Sequence, residues 1–274
     1  MLCRRQEQAH ALAEHGLRIT GKADFTATVA ATADPAELPD VDLAIVATKA
    51  TELDAAAARL AGLLPGAALM PVQNGLGAEE IVRRHGRWPL LSAVTFMSGT
   101  KRSDTEVEYV LDTETWLGPY GDTPGELAEE TARLLVSSGL KARAFVDLRP
   151  AQWSKLIFNA TVNGVAALTG LPHDGHFAAG ELGALVHALV DEGKSVAVAA
   201  GIRLHDDPWE MNVLATRRGS AHYPSMLEDV TARRPTEVEL INGALAREAG
   251  RLGVPVPLHE TVYTLVKAKE AAYS

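Results

Sequence analysis

A lysine and two asparagines recur at four-residue intervals inside an apolar segment of this chain: Lys155, Asn159 and Asn163. On a helix, side chains four positions apart lie on one face, so these three would form a polar row. Buried polar groups are costly unless they have partners. The row therefore predicts either a surface for a polar ligand or a hydrogen-bonded network between helices. A lone lysine is more often a helix-surface residue in a salt bridge, but two asparagines in phase with it favour a ligand.

The composition limits the class of protein to which such a site can belong. The chain has 274 residues, of which 47% are hydrophobic and 22% charged, which predicts a folded protein long enough for two domains. A net charge of -9 argues against nucleic-acid binding, while a local basic pocket for a small anion stays compatible with it. Cys3 is the only cysteine, which excludes a disulfide framework. No apolar leader or membrane-length segment is visible, so we expect a cytoplasmic protein without membrane contacts.

The first half of the sequence alternates short apolar strands with helices. Strands are predicted at 42–48, 67–72 and 89–96, a pair of strands within 106–118, and helices at 51–64, 78–85 and 123–138. This alternation predicts a parallel α/β sheet. Lys49 and Asn74 each follow a strand, so both belong on the carboxyl rim of that sheet, where open α/β folds bind ligands.

Helical periodicity replaces this alternation after about residue 149. The predicted helices are 151–169, 180–200, 208–217, 225–233 and 236–252. The chain is therefore expected to have an α/β half and an all-α half, and the helix with Lys155 opens the second. Small residues between Gly180 and Ala200 are compatible with a homodimer.

Six segments, taken in order, resemble the ketopantoate reductase family (2-dehydropantoate 2-reductases). They are Asp42 to Lys49, Gln73 to Gly77, Trp153 to Asn163, His222 to Asp229, Thr236 to Gly243 and Gly253 to Pro257. Each is weak alone, but together they are specific and span the whole chain. The resemblance implies a Rossmann-like NADP-binding domain over 1–148 and a helical domain for substrate binding and dimerisation over 149–274, similar to the C-terminal domain of 6-phosphogluconate dehydrogenase. It also implies NADPH-dependent reduction of ketopantoate to pantoate, a step of pantothenate biosynthesis.

The family's first strand, G-x-G-x-x-G turn and helix do not occur in this sequence, so the resemblance implies an incomplete Rossmann-like domain. Gly75 and Gly77 have the spacing of the first two glycines, but Glu80 stands where the third belongs. Such a unit, on the order of 30 residues, would hold the cofactor pyrophosphate. Either the natural protein begins upstream of Met1, which the intact later motifs favour, or the chain is a truncated paralogue with poor NADP binding. A native peptide upstream of Met1 would exclude the second explanation.

The resemblance assigns the substrate chemistry to the helical half. Lys155 is implied to polarise and protonate the keto oxygen, with Glu237 helping to position substrate and nicotinamide. Asn159 and Asn163 are implied to bind the substrate hydroxyl and carboxylate, with an inter-helix ladder as their alternative. Ser225 is implied to bind the carboxylate, with a plain helix N-cap as its alternative. The alternative for Glu237 is a first-turn acid favoured by the helix dipole.

The resemblance also implies a set of cofactor-binding residues. They are Lys49, Asn74, Gly99, Glu237 and either Arg4 or Arg5. Asn74 would lie near the substrate as well. The arginine would neutralise a 2′-phosphate and so select NADP over NAD, although an arginine pair is more often a solvated surface feature.

His173 departs from the family pattern, which has asparagine at this substrate-side position. It is either a contact to the distal hydroxyl of the substrate or a surface-loop residue. His173 and His176 lie three positions apart without a third ligand, so no metal is expected. The competing functions are a related reductase of another 2-keto acid and a non-catalytic paralogue unable to bind NADP.

Overall fold

The computed structural model describes residues 1–217 and 223–273, and the chain forms two compact units. The first unit consists of Met1–Val46, Ala55–Val72 and Ile81–Val146. The second consists of Ala47–Asp54, Gln73–Glu80 and Asp147–Ser274. The two short segments that follow strands, and that carry Lys49 and Asn74, therefore group with the helices of the second unit. Within the described ranges, no helix is long and apolar enough to span a membrane.

The Rossmann-like α/β region contains nine strands and four helices among the described residues. The strands are β1 Leu17–Gly21, β2 Phe25–Ala27, β3 Leu43–Val46, β4 Ala68–Pro71, β5 Leu90–Thr95, β6 Ser98–Lys101, β7 Glu106–Leu111, β8 Thr115–Tyr120 and β9 Ala142–Ala144. The helices are α1 Gln6–His15, α2 Ala50–Arg59, α3 Ala78–Arg83 and α4 Gly125–Ser137. The predicted strands from 42 onward are present, whereas α1, β1, β2, β6 and β9 were not predicted.

The strands form two sheets, ordered β2-β1-β7-β6 and β3-β4-β5-β8-β9. The prediction of a parallel sheet is only partly right, because β5 pairs with β8 antiparallel while β3–β4, β4–β5 and β8–β9 are parallel. Parallel neighbours need a crossover connection, usually a helix. Helices α2, α3 and α4 provide those crossovers, whereas no helix joins β5 to β8. The predicted strand pair within 106–118 also divides, because β7 and β8 lie in different sheets.

The second half of the chain is helical, as expected. Its helices are α5 Arg149–Thr169, α6 Gly180–Ala199, α7 Pro208–Thr216, α8 Ser225–Thr231, α9 Asn242–Leu252 and α10 Pro257–Ala271. Helix α10 was not predicted, and α9 begins six residues later than the predicted start at Thr236. Helix α5 has Pro150 in its first turn, where the missing N–H is harmless, and ends at Gly170, which adopts a left-handed φ of 74°.

The core of the helical unit surrounds α5, whose residues Leu156, Ile157 and Ala160 are almost fully buried. Gly164 allows close packing of α5 against α10. A Cβ atom added at Gly164 would lie 2.4 Å from Cγ1 of Val262. The helix with the polar row is therefore held rigidly from several sides, which is what a precisely aimed side chain requires.

Candidate active site

The predicted polar row lies on one unbroken helix, α5. Lys155 is half-buried, and Asn159 and Asn163 are 8% and 6% exposed. The four-residue spacing puts all three side chains on the same face of that helix. The sequence pattern therefore corresponds to a real, largely desolvated polar row in the helical unit.

Glu237 lies in an irregular turn and not on a helix, which corrects the predicted helix start at Thr236. The Thr236 hydroxyl accepts a hydrogen bond from the N–H of Val238 at 3.2 Å, a local bond that competes with helix formation. In this turn the Glu237 carboxylate is 8% exposed and turns towards the strand-following segments. The first-turn acid of the alternative interpretation is therefore not observed.

Both carboxylate oxygens of Glu237 accept hydrogen bonds from those segments. Ala50, the first residue of α2, donates its N–H to Oε1 at 3.1 Å. Asn74 donates its Nδ2 to Oε2 at 3.0 Å. These two hydrogen bonds fix the orientation of the Glu237 carboxylate. Glu237 and Asn74, which lie in different halves of the sequence, thus belong to one cluster.

Gly75 allows the Asn74 loop to reach the turn that carries Glu237. Gly75 has a φ of 98°, a conformation that side-chain-bearing residues rarely adopt. Leu76 donates its N–H to the carbonyl of Leu240 at 2.9 Å, and a Cβ on Gly75 would lie 1.9 Å from that same oxygen. Glycine is therefore required by both conformation and space, a constraint that the Asn74-Gly75 turn signal alone did not reveal.

The ammonium of Lys155 is electrostatically coupled to Glu237. Burial lowers the pKa of Lys155 to about 8, while the negative charge of Glu237 acts in the opposite direction. A lysine with a pKa near the pH of the cell can both hold and release a proton. Lys155 is therefore suited to general acid chemistry.

Lys49 is held by Asp229, the last residue of the motif that begins at His222. Its Nζ lies 2.9 Å from Oδ2 of Asp229, whose side chain is 2% exposed, and Arg234 donates its Nε to Oδ1 of Asp229 at 3.0 Å. The buried carboxylate thus has two cationic partners, which offset its desolvation. The Lys49 side chain stays 49% exposed. Its ammonium is accordingly both fixed and accessible to a further anion.

Ser225 is the first residue of α8 and is half-buried. Pro224 is the N-cap, so the interpretation of Ser225 as a plain N-cap is wrong. Ser225 and Asp229 are four positions apart and share one face of the helix. His222, which contributed to the motif, lies outside the described residues.

His173 is not a surface-loop residue, because it is only 3% exposed. Its Nε2 lies 2.8 Å from Oδ1 of Asn212, and the Nδ2 of Asn212 donates to the carbonyl of Phe177 at 2.9 Å. That second bond fixes the Asn212 amide, so His173 Nε2 must be the protonated, donating nitrogen. The His173 ring also packs edge-on against Phe177, with ring centroids 5.0 Å apart. Within the described residues, no histidine, cysteine or carboxylate cluster could hold a metal ion.

The predicted phosphate ligands belong to the first compact unit, whereas Lys155 belongs to the second. Arg5 is engaged by Asp104, with its Nη2 2.8 and 2.7 Å from the two carboxylate oxygens. Arg4 is exposed, and Gly99 lies on β6 at a shift in its register with β7. The ion pair of Arg5 corresponds to the surface alternative that the sequence left open.

Comparison with known proteins assigns both halves of the chain to the same family. The family model described as Ketopantoate reductase PanE/ApbA matches residues 1–122, and the model described as Ketopantoate reductase PanE/ApbA C terminal matches residues 147–270. The 2-dehydropantoate 2-reductase of Archaeoglobus fulgidus is 30% identical over 268 residues, which cover 97% of this chain and 88% of that protein.

Solved structures share the fold. A 2-dehydropantoate 2-reductase from Geobacter metallireducens superposes with a TM-score of 0.89 at 27% identity, covering 97% of this chain and 90% of that one. A D-mandelate dehydrogenase, in a ternary structure with NADH and anilino(oxo)acetate, superposes with a TM-score of 0.88 at 24% identity, covering 97% and 89%. The chain belongs to the ketopantoate reductase family and is an oxidoreductase.

Proposed function

We propose that this protein catalyses the NADPH-dependent reduction of 2-dehydropantoate to pantoate. One observation carries the proposal: the half-buried Lys155 is coupled to Glu237, whose carboxylate also binds Asn74. The 2-dehydropantoate 2-reductase of Archaeoglobus fulgidus, 30% identical, supports the same substrate.

The residues after β3 and β4 fit the polar groups of a nicotinamide dinucleotide. The Thr48 hydroxyl is buried without a hydrogen-bond partner in the described part of the chain, and the adjacent Lys49 side chain is half-exposed. A free donor beside an accessible cation suits carboxamide, ribose or phosphate groups. Lys49, Asn74 and Glu237 would hold the nicotinamide end, and Arg4, Arg5 and Gly99 are proposed for the rest. When bound, the reduced nicotinamide supplies the hydride.

Lys155 is proposed as the general acid. Its ammonium would donate a hydrogen bond to the keto oxygen, stabilise the negative charge that develops there and transfer the proton. At pH 7 a lysine with a pKa of about 8 is mostly protonated and ready to donate. Glu237 would keep that proton on Lys155 and hold Asn74 in place.

The substrate itself would lie along the polar row. Asn159 and Asn163 are proposed to bind the hydroxyl and carboxylate of the substrate, and Ser225 to donate to its carboxylate. His173 contacts the distal hydroxyl in this proposal only if its Nδ1 faces the substrate, because its Nε2 already binds Asn212. His173 therefore bears on substrate selectivity more than on chemistry.

A second candidate is reduction of another 2-keto acid, with NADH in place of NADPH. The observation in its favour is the D-mandelate dehydrogenase, whose fold matches with a TM-score of 0.88 and whose structure contains NADH. The involvement of Arg5 with Asp104 also reduces the positive charge left for a 2′-phosphate.

Steady-state kinetics with both cofactors and a panel of 2-keto acids tests the proposal. We expect kcat/KM for 2-dehydropantoate with NADPH to exceed every other pair by roughly tenfold or more, a normal range for substrate discrimination. A higher value with NADH, or with an aromatic 2-keto acid, supports the second candidate. Absence of oxidation with every pair rejects both.

A further inference from the structure

The backbone on both sides of Glu237 is fixed by a contact from the far end of the chain. Thr236 is 2% exposed, and both its N–H and its hydroxyl donate to Oε1 of Glu270 at 2.6 Å. The same hydroxyl accepts from the N–H of Val238. The residues that precede and follow Glu237 are therefore tied to a single carboxylate oxygen, either directly or through one hydroxyl.

The last turn of α10 also contacts the helix that carries Lys155. Lys269, next to Glu270, donates its Nζ to the carbonyl of Ala167 in α5 at 2.7 Å. Neighbouring residues of one helical turn thus contact α5 and the turn of Glu237 at the same time. This arrangement fixes the relative position of the two elements that form the acid–carboxylate pair.

We propose that Glu270 is a positioning residue that, acting through Thr236, sets the Glu237 carboxylate relative to Lys155. The inference rests on the proposed function, in which Lys155 donates the proton. Glu270 acts through Thr236 and not directly on the reacting atoms. Its effect on catalysis passes through two hydrogen bonds and one turn of backbone.

The physical basis is the strength and direction of those bonds. Hydrogen bonds to a carboxylate are roughly twice as strong as those between neutral groups. Because Thr236 is buried, water has little access to compete for these bonds. The charged or titratable neighbours of Glu270 are Lys267, whose Nζ is 3.2 Å from Oε2, and Tyr273, whose phenol pKa is raised by burial and by the Glu270 charge. Oε2 therefore has its own partner, and Oε1 is committed to Thr236.

Loss of the contact between Thr236 and Glu270 would loosen the turn. The Glu237 carboxylate would then be positioned only by its hydrogen bonds to Ala50 and Asn74. A displacement of about 1 Å in a catalytic group can lower a rate by on the order of a hundredfold. The negative charge of Glu237 would also act more weakly on Lys155, whose ammonium it stabilises. A purely structural role for Glu270 predicts lower stability but neither of these changes in the folded enzyme.

Thr236→Val and Glu270→Ala test the proposal in the full-length chain. Thr236→Val preserves the shape of the side chain but removes the hydroxyl, and Thr236→Ser restores it. Glu270→Met, which removes both acceptor oxygens but keeps a side chain of similar length, replaces the alanine variant if that variant does not fold. Glu260→Gln alters an exposed carboxylate of the same helix, and Lys267→Met removes only the partner of Oε2. Both serve as matched controls.

Two readouts are needed. The first is the pH profile of kcat. The second is the pH dependence of Lys155 acylation by acetic anhydride in the protein without ligands, followed by mass spectrometry. We expect Thr236→Val and Glu270→Ala to lower kcat roughly tenfold to a hundredfold. Lys155 should become reactive at lower pH in both, while Thr236→Ser and the two controls behave as wild type.

Folded variants with kcat within about twofold of wild type and an unchanged Lys155 titration would overturn the proposal. An equal effect of Lys267→Met would overturn it too, because that change leaves the bonds to Thr236 intact. If the wild-type protein reduces no 2-keto acid, the proposed function fails, and the Lys155 titration still decides whether Glu270 positions Glu237.

Discussion

At the scale of single residues, the site depends on one local pattern and several distant contacts. The Lys155 row could be predicted because helical spacing is a local property of the sequence. The bonds of Glu237 to Ala50 and Asn74 join residues 187 and 163 positions apart, and the pair of Lys49 with Asp229 joins residues 180 apart. No local sequence pattern encodes contacts between residues so far apart. The residues could be assigned to the site only by the family resemblance, and their contacts could not be predicted.

The pKa of Lys155 leads to a prediction about pH. Because the proposed acid must be protonated, kcat should be high below about pH 8 and fall up to tenfold per pH unit above it. Glu237→Gln removes the charge that raises the pKa of Lys155, so the fall should begin at lower pH in that variant. Measured pH profiles of kcat for both proteins test this. A fall that begins at the same pH in both would show that Glu237 does not act on Lys155.

At the scale of elements, the turns determine the site more than the helices do. The helix predicted over 236–252 starts only at Asn242, because Thr236 binds Val238 and Glu270 and so holds the preceding residues in a turn. That turn gives Glu237 its direction. The apolar residues of this segment have helical spacing, which is why a helix was expected. Periodicity does not show that a side chain such as Thr236 forms hydrogen bonds with the backbone in place of the helix.

Gly75→Ala should disrupt the site through the loop that carries Asn74. The new Cβ meets the carbonyl of Leu240, so the loop must move and the bond between Asn74 and Glu237 should break. We expect kcat/KM to fall at least tenfold, on the order expected for a displaced catalytic group.

Gly66→Ala is the matched control for that change. Gly66 has a similar φ of 85°, but nothing lies within 4 Å of an added Cβ. It should cost about 1 kcal/mol of stability through backbone strain and leave kcat/KM unchanged. Equal losses of activity in the two variants would mean that strain, and not the contact with Leu240, matters at Gly75.

Gly164→Ala should destabilise the helical unit. The added methyl group would lie 2.4 Å from Val262, and overpacking of a buried contact costs about 1–3 kcal/mol. Gly250→Ala, on α9 with open space around its Cβ, should instead stabilise by about 0.5–1 kcal/mol through helix propensity. Urea unfolding of both variants measures the difference. A stabilising Gly164→Ala would contradict the close packing of α5 against α10.

At the scale of the whole molecule, the fold class could be predicted from the sequence, whereas part of the topology could not. The alternating first half and the helical second half are both observed. The antiparallel β5–β8 pair and the division of β7 and β8 between sheets depend on tertiary pairing, which short apolar runs do not encode. Helix α10 was not predicted, and it contributes Glu270. The assignment of 1–148 to the cofactor and 149–274 to the substrate stays a proposal.

The buried His259 should make the stability of the protein depend on pH. Burial lowers its pKa to about 4, its Nε2 donates to the carbonyl of Leu189, and its other neighbours are Asn242 and Glu192. In the unfolded chain the histidine pKa is near 6.5. Between pH 6.5 and pH 4 the histidine is therefore protonated in the unfolded chain but neutral in the folded protein. Stability should therefore fall as the pH drops from about 6.5 to 4.

The full effect corresponds to about 3 kcal/mol, since one pKa unit is equivalent to about 1.4 kcal/mol. Urea unfolding at several pH values should show this loss, and His259→Gln should show a smaller dependence on pH. An equally steep dependence in the variant would assign the effect to other groups.

The central claim is that Lys155 is the acid, and Lys155→Met tests it most directly. The measurement is kcat for 2-dehydropantoate with NADPH, compared with the exposed Lys22→Met as control and with the unfolding temperature of each variant. General acid catalysis contributes about a hundredfold to ten-thousandfold, so kcat should fall by that amount in Lys155→Met alone, without loss of folding. A folded Lys155→Met enzyme that retains a kcat within about twofold of the Lys22→Met control would contradict the account.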